Sequence, residues 1–218
     1  MTALIGTRIM DSQELKSVIY RLGETKSVLT ETELLSAGAS MAQIEELVTS
    51  SVLYPSAQGI YMPENADFGE QHTRVEVAVK FPDTVLCLAT ALNFHRLTTQ
   101  MPHKVWIAYE ASSLKPVEPR LPIEAIPMSE PGFSQGIEIH CLEGNAVKIY
   151  SVAKTVADCF VYEDEVGTDV AIEAFDQAIQ ESRCTVTEIV RYTRERDINS
   201  YAQQDLIECI ERAMETSA

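Results

Sequence analysis

The stretch SMAQIEELVTSSVLYPSAQGIYMPE, residues 40–64, constrains what this chain can fold into more than any other. Met41, Ile44, Leu47 and Val48 recur at helical spacing behind Ser40, a good N-cap residue. SVLYPSAQGIYMP then predicts two short strands around a turn at Gly59, punctuated by Pro55 and Pro63. A short helix followed by a two-stranded ribbon is the layout of a nucleic-acid reader, yet there is no positive charge in it. From Ser27 through Thr73 the chain has neither Lys nor Arg, while Glu31, Glu33, Glu45, Glu46, Glu64, Asp67 and Glu70 are acidic.

The residues upstream complete a small domain. SQELKSVIYRLGE, residues 12–24, places Leu15, Val18, Ile19 and Leu22 on one helical face, with Ser12 as the expected N-cap and Gly23 as the stop. Thr30 and Glu33 have the spacing of a capping box, and Gly38 ends the helix they open. The AGAS turn joins that helix to the next, which predicts a helix-turn-helix. Residues 1–65 therefore read as a winged helix-turn-helix domain. The polar, turn-rich ENADFGEQ marks a boundary, and residues 74–218 read as a second domain.

The second domain mixes strands and helices. HTRVEVAVKFP fits a helix or a strand, and its β-branched residues favour the strand. TVLCLATALNFHRL is helical from Leu88 onward. KVWIAY and LPIEAIPM read as strands joined by a Pro-rich loop. GIEIHCL and AVKIY flank Glu143-Gly144-Asn145, a hairpin turn signal. From Ser151 to the end the pattern is helical. The expected fold class is α+β: an N-terminal winged helix-turn-helix, then a small, mostly antiparallel sheet packed with C-terminal helices.

Composition narrows function. A net charge of −16 opposes the phosphate backbone, whose neutralisation supplies most non-specific DNA affinity. Cys87, Cys141, Cys159, Cys184 and Cys209 are odd in number and scattered, with no CxxC pair, as expected of reduced thiols in a cytoplasmic protein. MTALIGTRIMDSQELK lacks the pattern of a secretory leader, and the longest apolar run, TVLCLATAL, is too short to span a bilayer, so no membrane association is expected.

Two stretches carry a resemblance. LCLATALNFHRLTTQMPHKVWIAY (residues 86–109) and KIYSVAKTVADCFVYEDEVGTDVAIEAFDQAI (residues 148–179) resemble the AbiEi family, antitoxins and transcriptional regulators of type IV toxin–antitoxin systems. The resemblance implies a winged helix followed by an α+β antitoxin domain. It implies autorepression through operator DNA and antagonism of a nucleotidyltransferase-like toxin, without need of a stable complex. The family's recognition helix and wing carry Arg or Lys at the positions held here by Met41, Ala42, Glu45, Ser56 and Ala57. The remaining DNA-contact candidates are Ser40, Gln43, Ser56 and Gln58. Ser40 and its helix N-terminus suit a phosphate, and Gln43 suits an adenine edge. A homodimer would double these contacts without changing their sign. The antitoxin-domain motif residues are His95, Thr98, Thr99, Gln100, His103, Trp106, Lys154 and Asp158.

No catalytic, metal or cofactor site emerges. SVAK matches the S-x-x-K of serine acylases but has no SDN or KTG partner. Ser151 is better read as a helix cap, with Lys154 and Asp158 as an i,i+4 pair anchoring the helix to the sheet. His95 and His103, near Thr98, Thr99 and Gln100, lack further ligands at metal spacing and suit structure or partner contact. Trp106 alternates with Val105 and Ile107 as a core residue. Two alternatives to an operator-binding antitoxin stay open. One is a relative whose acidic winged helix contacts protein; the other is an acidic DNA-mimicking inhibitor.

Overall fold

The computed structural model describes residues 11–193 and 200–216. Its elements run α1 (Ser12–Gly23), β1 (Leu29–Thr30), α2 (Glu31–Ser36), α3 (Met41–Thr49), β2 (Leu53–Ala57), β3 (Ile60–Pro63), α4 (His72–Lys80), β4 (Val85–Leu86) and α5 (Leu88–Phe94). They continue with β5 (Val105–Glu110), β6 (Ile123–Met128), β7 (Ile137–Leu142), β8 (Asn145–Tyr150), α6 (Val152–Val161), α7 (Glu163–Val166), α8 (Thr168–Gln180), α9 (Val186–Thr193) and α10 (Ser200–Thr216). The fold is α+β. No helix of the described residues is long and apolar enough to cross a membrane.

The chain divides into two compact units. The first comprises Met1–Pro82 with Glu118–Leu121 and Cys141–Val147, and the second comprises Asp83–Val117, Pro122–His140 and Lys148–Ala218. The expected division at residues 66–73 differs from this, because α4 belongs to the first unit. So do the turn of the β7–β8 hairpin and a short piece of the β5–β6 connection. Residues 1–10 of the expected first domain, and residues 194–199 and 217–218 of the segment expected to be helical from Ser151 onward, lie outside the described residues.

In the first unit α1, α2 and α3 pack Leu15, Ile19, Leu34, Ile44 and Leu47 against Leu29 and Leu53. β1, β3 and β2 form a three-stranded antiparallel sheet in that order. Thr30 and Glu33 make the expected capping box; Ser40 caps α3 as expected, and Gln43 completes a second box with it. The N-cap of α1 is Asp11 rather than Ser12: its carboxylate accepts from the Gln13 and Glu14 amides at 2.9 and 2.8 Å. HTRVEVAVKFP is the helix α4, not a strand, with Arg74, Val75, Glu76 and Val77 buried in succession. Its valines pack on several sides of one helix, which overrides their intrinsic preference for a sheet.

The second unit is built on the sheet β6-β5-β4-β8-β7. The expectation of a mostly antiparallel sheet is corrected here: β4 pairs antiparallel with β5, but β5–β6 and β4–β8 are parallel. The reason is the Pro-rich connection of residues 111–122. It is long enough to carry the chain back to the starting end of β5, which a tight turn cannot do. The expected hairpin turn joins β7 to β8, with Glu143 and Gly144 both at positive φ. Around the sheet, α5, α6, α8 and α10 bury Leu88, Leu92, Val156, Phe160, Phe175, Leu206 and Cys209 in one core.

Candidate functional site

The first candidate is the solvent face of α3 and the β2–β3 ribbon. Ile44 and Leu47 anchor α3 in the core, which leaves Met41, Ala42, Glu45, Glu46 and Thr49 exposed. Among the described residues, α3 and the β2–β3 ribbon contribute no Lys or Arg of their own to that face. Its potential is registered by Tyr61 on β3, whose phenol is raised by burial and by the nearby Glu31 and Glu45 carboxylates.

Three of the four DNA-contact candidates, Ser40, Gln43 and Ser56, have their side chains engaged within the fold, whereas Gln58 is exposed and is held only by its backbone carbonyl. The Ser40 hydroxyl accepts the Gln43 amide at 3.3 Å, while Gln43 Oε1 accepts from the Ser40 amide at 2.9 Å. The acceptor atom that Gln43 would turn to a base is therefore engaged in capping α3. Ser56 donates to Glu76 of α4, and the Gln58 carbonyl accepts from Lys80 Nζ at 2.6 Å. Lys80 sits at the tip of the ribbon and also pairs with Glu118 at 3.6 Å.

The second candidate lies along α6. This helix is buried from Ala153 through Phe160, so a charge on it must carry its counter-charge with it. Lys154 and Asp158 do so one turn apart, with Nζ at 2.6 and 2.5 Å from the two carboxylate oxygens. The ammonium also sits 4.3 Å from the centre of the Tyr150 ring. Gly136, at φ +72°, passes so close that a Cβ there would lie 2.7 Å from Lys154 Cβ.

Tyr150 ties the other motif stretch to this helix. Its carbonyl accepts from His95 Nε2 at 2.7 Å and from the Thr155 hydroxyl at 3.2 Å, and its own hydroxyl donates to the Phe133 carbonyl at 2.7 Å. A carbonyl only accepts, so His95 carries its proton on Nε2. Burial lowers the pKa of His95, against the pull of that carbonyl. Arg183 of the α8–α9 loop donates to the His95 carbonyl at 3.2 Å.

The structure thus brings together His95, Lys154 and Asp158, and leaves the rest of the motif residues apart from them. The Thr98 hydroxyl accepts the Gln100 amide at 3.1 Å, and the Gln100 carbonyl accepts from Asn93 at 2.9 Å, so this loop closes on itself. Thr99 and His103 are exposed. Trp106 is half-buried against the core, and its amide donates to Thr90 at 2.8 Å. Sequence reasoning missed Tyr150, Thr155, Gly136 and Arg183. Tyr150 had one visible signal, its place as the last strand residue before the Ser151 cap.

Chemically this cluster is a lock. Lys154 is sealed from solvent and held by two charge-assisted bonds, so it reaches no substrate. Burial, with Asp158 adding to it, pushes the Cys87 and Cys159 thiols well above the ordinary range, away from nucleophilic thiolate. Ser151 accepts the Lys154 amide at 3.4 Å as a helix cap. Among the described residues no group of three or more His, Cys, Asp or Glu could hold a metal ion.

No family model matches the chain, and no curated protein matches it. A crystal structure of the RV2827C protein from Mycobacterium tuberculosis is similar over 92% of this chain and 77% of that one, with a TM-score of 0.62 and 13% identity. At that identity the likeness is one of fold.

Proposed function

We propose that this chain is an AbiEi-like antitoxin and transcriptional regulator. It acts in the cytoplasm against a nucleotidyltransferase-like toxin, and no residue is assigned a catalytic role. The carrying observation is an element order, α1-β1-α2-α3-β2-β3, with the antiparallel sheet β1-β3-β2. That is the order of a winged helix, with α2–α3 as helix-turn-helix and β2–β3 as wing. It precedes an α+β unit whose internal lock, His95–Tyr150–Lys154–Asp158, falls in the two stretches that resemble the family. The test is growth of cells producing a nucleotidyltransferase-like toxin encoded beside this chain. Co-production of the full chain restores growth; failure to restore it removes the antitoxin role.

A second reading has its own support. The exposed face of α3 bears Glu45 and Glu46, and on the wing the Ser56 hydroxyl is engaged by Glu76 and the Gln58 backbone carbonyl by Lys80. This favours a winged helix that holds operator DNA weakly and contacts protein instead. The antitoxin role does not depend on which of these surfaces the winged helix presents.

A further inference from the structure

β7 is the last strand of the five-stranded sheet, with β8 on its inner side and no strand of the described residues on its outer side. Sheet edges are commonly blunted by Lys, Pro or a bulge, because their free N–H and C=O groups template pairing with another chain. The opposite edge strand, β6, carries Pro127 as its next-to-last residue. β7, IEIHCL, has no Pro, Gly or Lys, and Ile139 at its centre is 72% exposed.

The sequence of this edge is complementary to itself. When two identical strands pair antiparallel about Ile139, each Glu138 stands opposite the other strand's His140, and Ile139 meets its own copy. Glu138 and His140 already share a face, with His140 Nε2 3.1 Å from Glu138 Oε2. Each imidazole is thus within a side-chain rotation of a carboxylate directly across the pair, where opposite residues lie about 4.5–5.5 Å apart at Cβ. Moving the centre one residue either way sets Glu138 against Glu138 or His140 against His140. Only the register about Ile139 avoids both like pairs while placing the exposed apolar side chain against another.

We propose that β7 is the surface through which two copies of this chain associate, pairing antiparallel about Ile139 and extending the sheet across a two-fold axis. The occupant is a second copy rather than an arbitrary strand, because the charge match is internal to β7. This inference stands independently of the antitoxin reading. One six-residue edge buries less than a standard interface, so the dimer is weak and reversible, with Kd on the order of 10 μM or above.

Sedimentation equilibrium of the full chain across about 5–500 μM reads this directly. A monomer–dimer equilibrium is expected, weakened about tenfold or more by Ile139→Lys and by His140→Glu, which sets Glu opposite Glu. The double change Glu138→Lys with His140→Glu restores the dimer, because it again pairs opposite charges. A variant of Cys141→Ser protein that also carries Ile139→Cys should form a covalent dimer on mild oxidation, whereas Cys141→Ser alone should not. Circular dichroism checks that the Lys and Glu variants are folded. A monomer throughout the range overturns the proposal, and so does a dimer indifferent to all of these changes.

Discussion

The Lys154 ammonium lies 2.6 and 2.5 Å from the oxygens of Asp158, with neither side chain more than 1% exposed. Removing one partner of such a pair leaves the other charge unpaired in the core. Asp158→Ala is expected to destabilise the protein by about 3–5 kcal/mol in urea unfolding. The double change Lys154→Met with Asp158→Leu should recover most of that loss, since no buried charge is then left alone. A single variant with unchanged stability that fails in the growth-rescue test of the proposed function would move the pair from structure to function.

Stability should also report His95. Burial lowers its pKa from the ordinary 6.5, so the unfolded chain takes up the proton first as pH falls. The neutral ring's contribution is therefore complete above about pH 6.5 and declines below it, toward the depressed folded value. His95→Gln keeps a donor for the Tyr150 carbonyl but cannot titrate. The stability difference between wild type and this variant should be flat from pH 8 to 7, as the ordinary histidine range requires. It should shift in the variant's favour on going to pH 5. A difference independent of pH would place a solvated histidine here.

Gly144 gives a sharper test within the first unit. At φ +75° it approaches Thr25 so closely that a Cβ would overlap the Thr25 carbonyl oxygen, and the Glu143 carbonyl beside it accepts from the Ser27 amide at 3.1 Å. Backbone cannot yield as a side-chain tip can. Gly144→Ala should cost about 3 kcal/mol or more, read as a lowered denaturation midpoint at unchanged slope.

Much of this was legible in the sequence because its signals are local. Thr30/Glu33 and Ser40/Gln43 announce their helix starts by side chains that cap their own backbone, and Glu143-Gly144 announces its turn by its need for positive φ. What stayed hidden depends on distant neighbours. α4 starts at Gln71 without a side-chain cap, and its valines are decided by what they pack against. β1 and β4 are two residues each, too short for any period to show. The parallel pairing of β5 with β6 depends on where a Pro-rich loop delivers the chain. In the site, the i,i+4 spacing of Lys154 and Asp158 was plain, but their complete burial follows only from helices that pack around α6.

On the proposed function, the exposed face of α3 is where DNA would be met, and it carries the wrong charge for that. Met41 and Glu45 stand exposed on α3 where the proposed phosphate contacts would be made, and the phenol of Tyr61 is raised by burial and then by Glu31 and Glu45. Replacing Met41 and Glu45 by Arg should strengthen DNA binding by about tenfold or more at low salt, and with a steeper salt dependence, since each added cation releases counterions. The direct measurement is a mobility-shift titration of the full-length wild-type chain on its own upstream DNA, at low and at physiological salt. Weak binding that disappears at the higher salt is predicted. Nanomolar, sequence-specific binding that persists there would contradict this expectation and make the α3 face an operator reader in full.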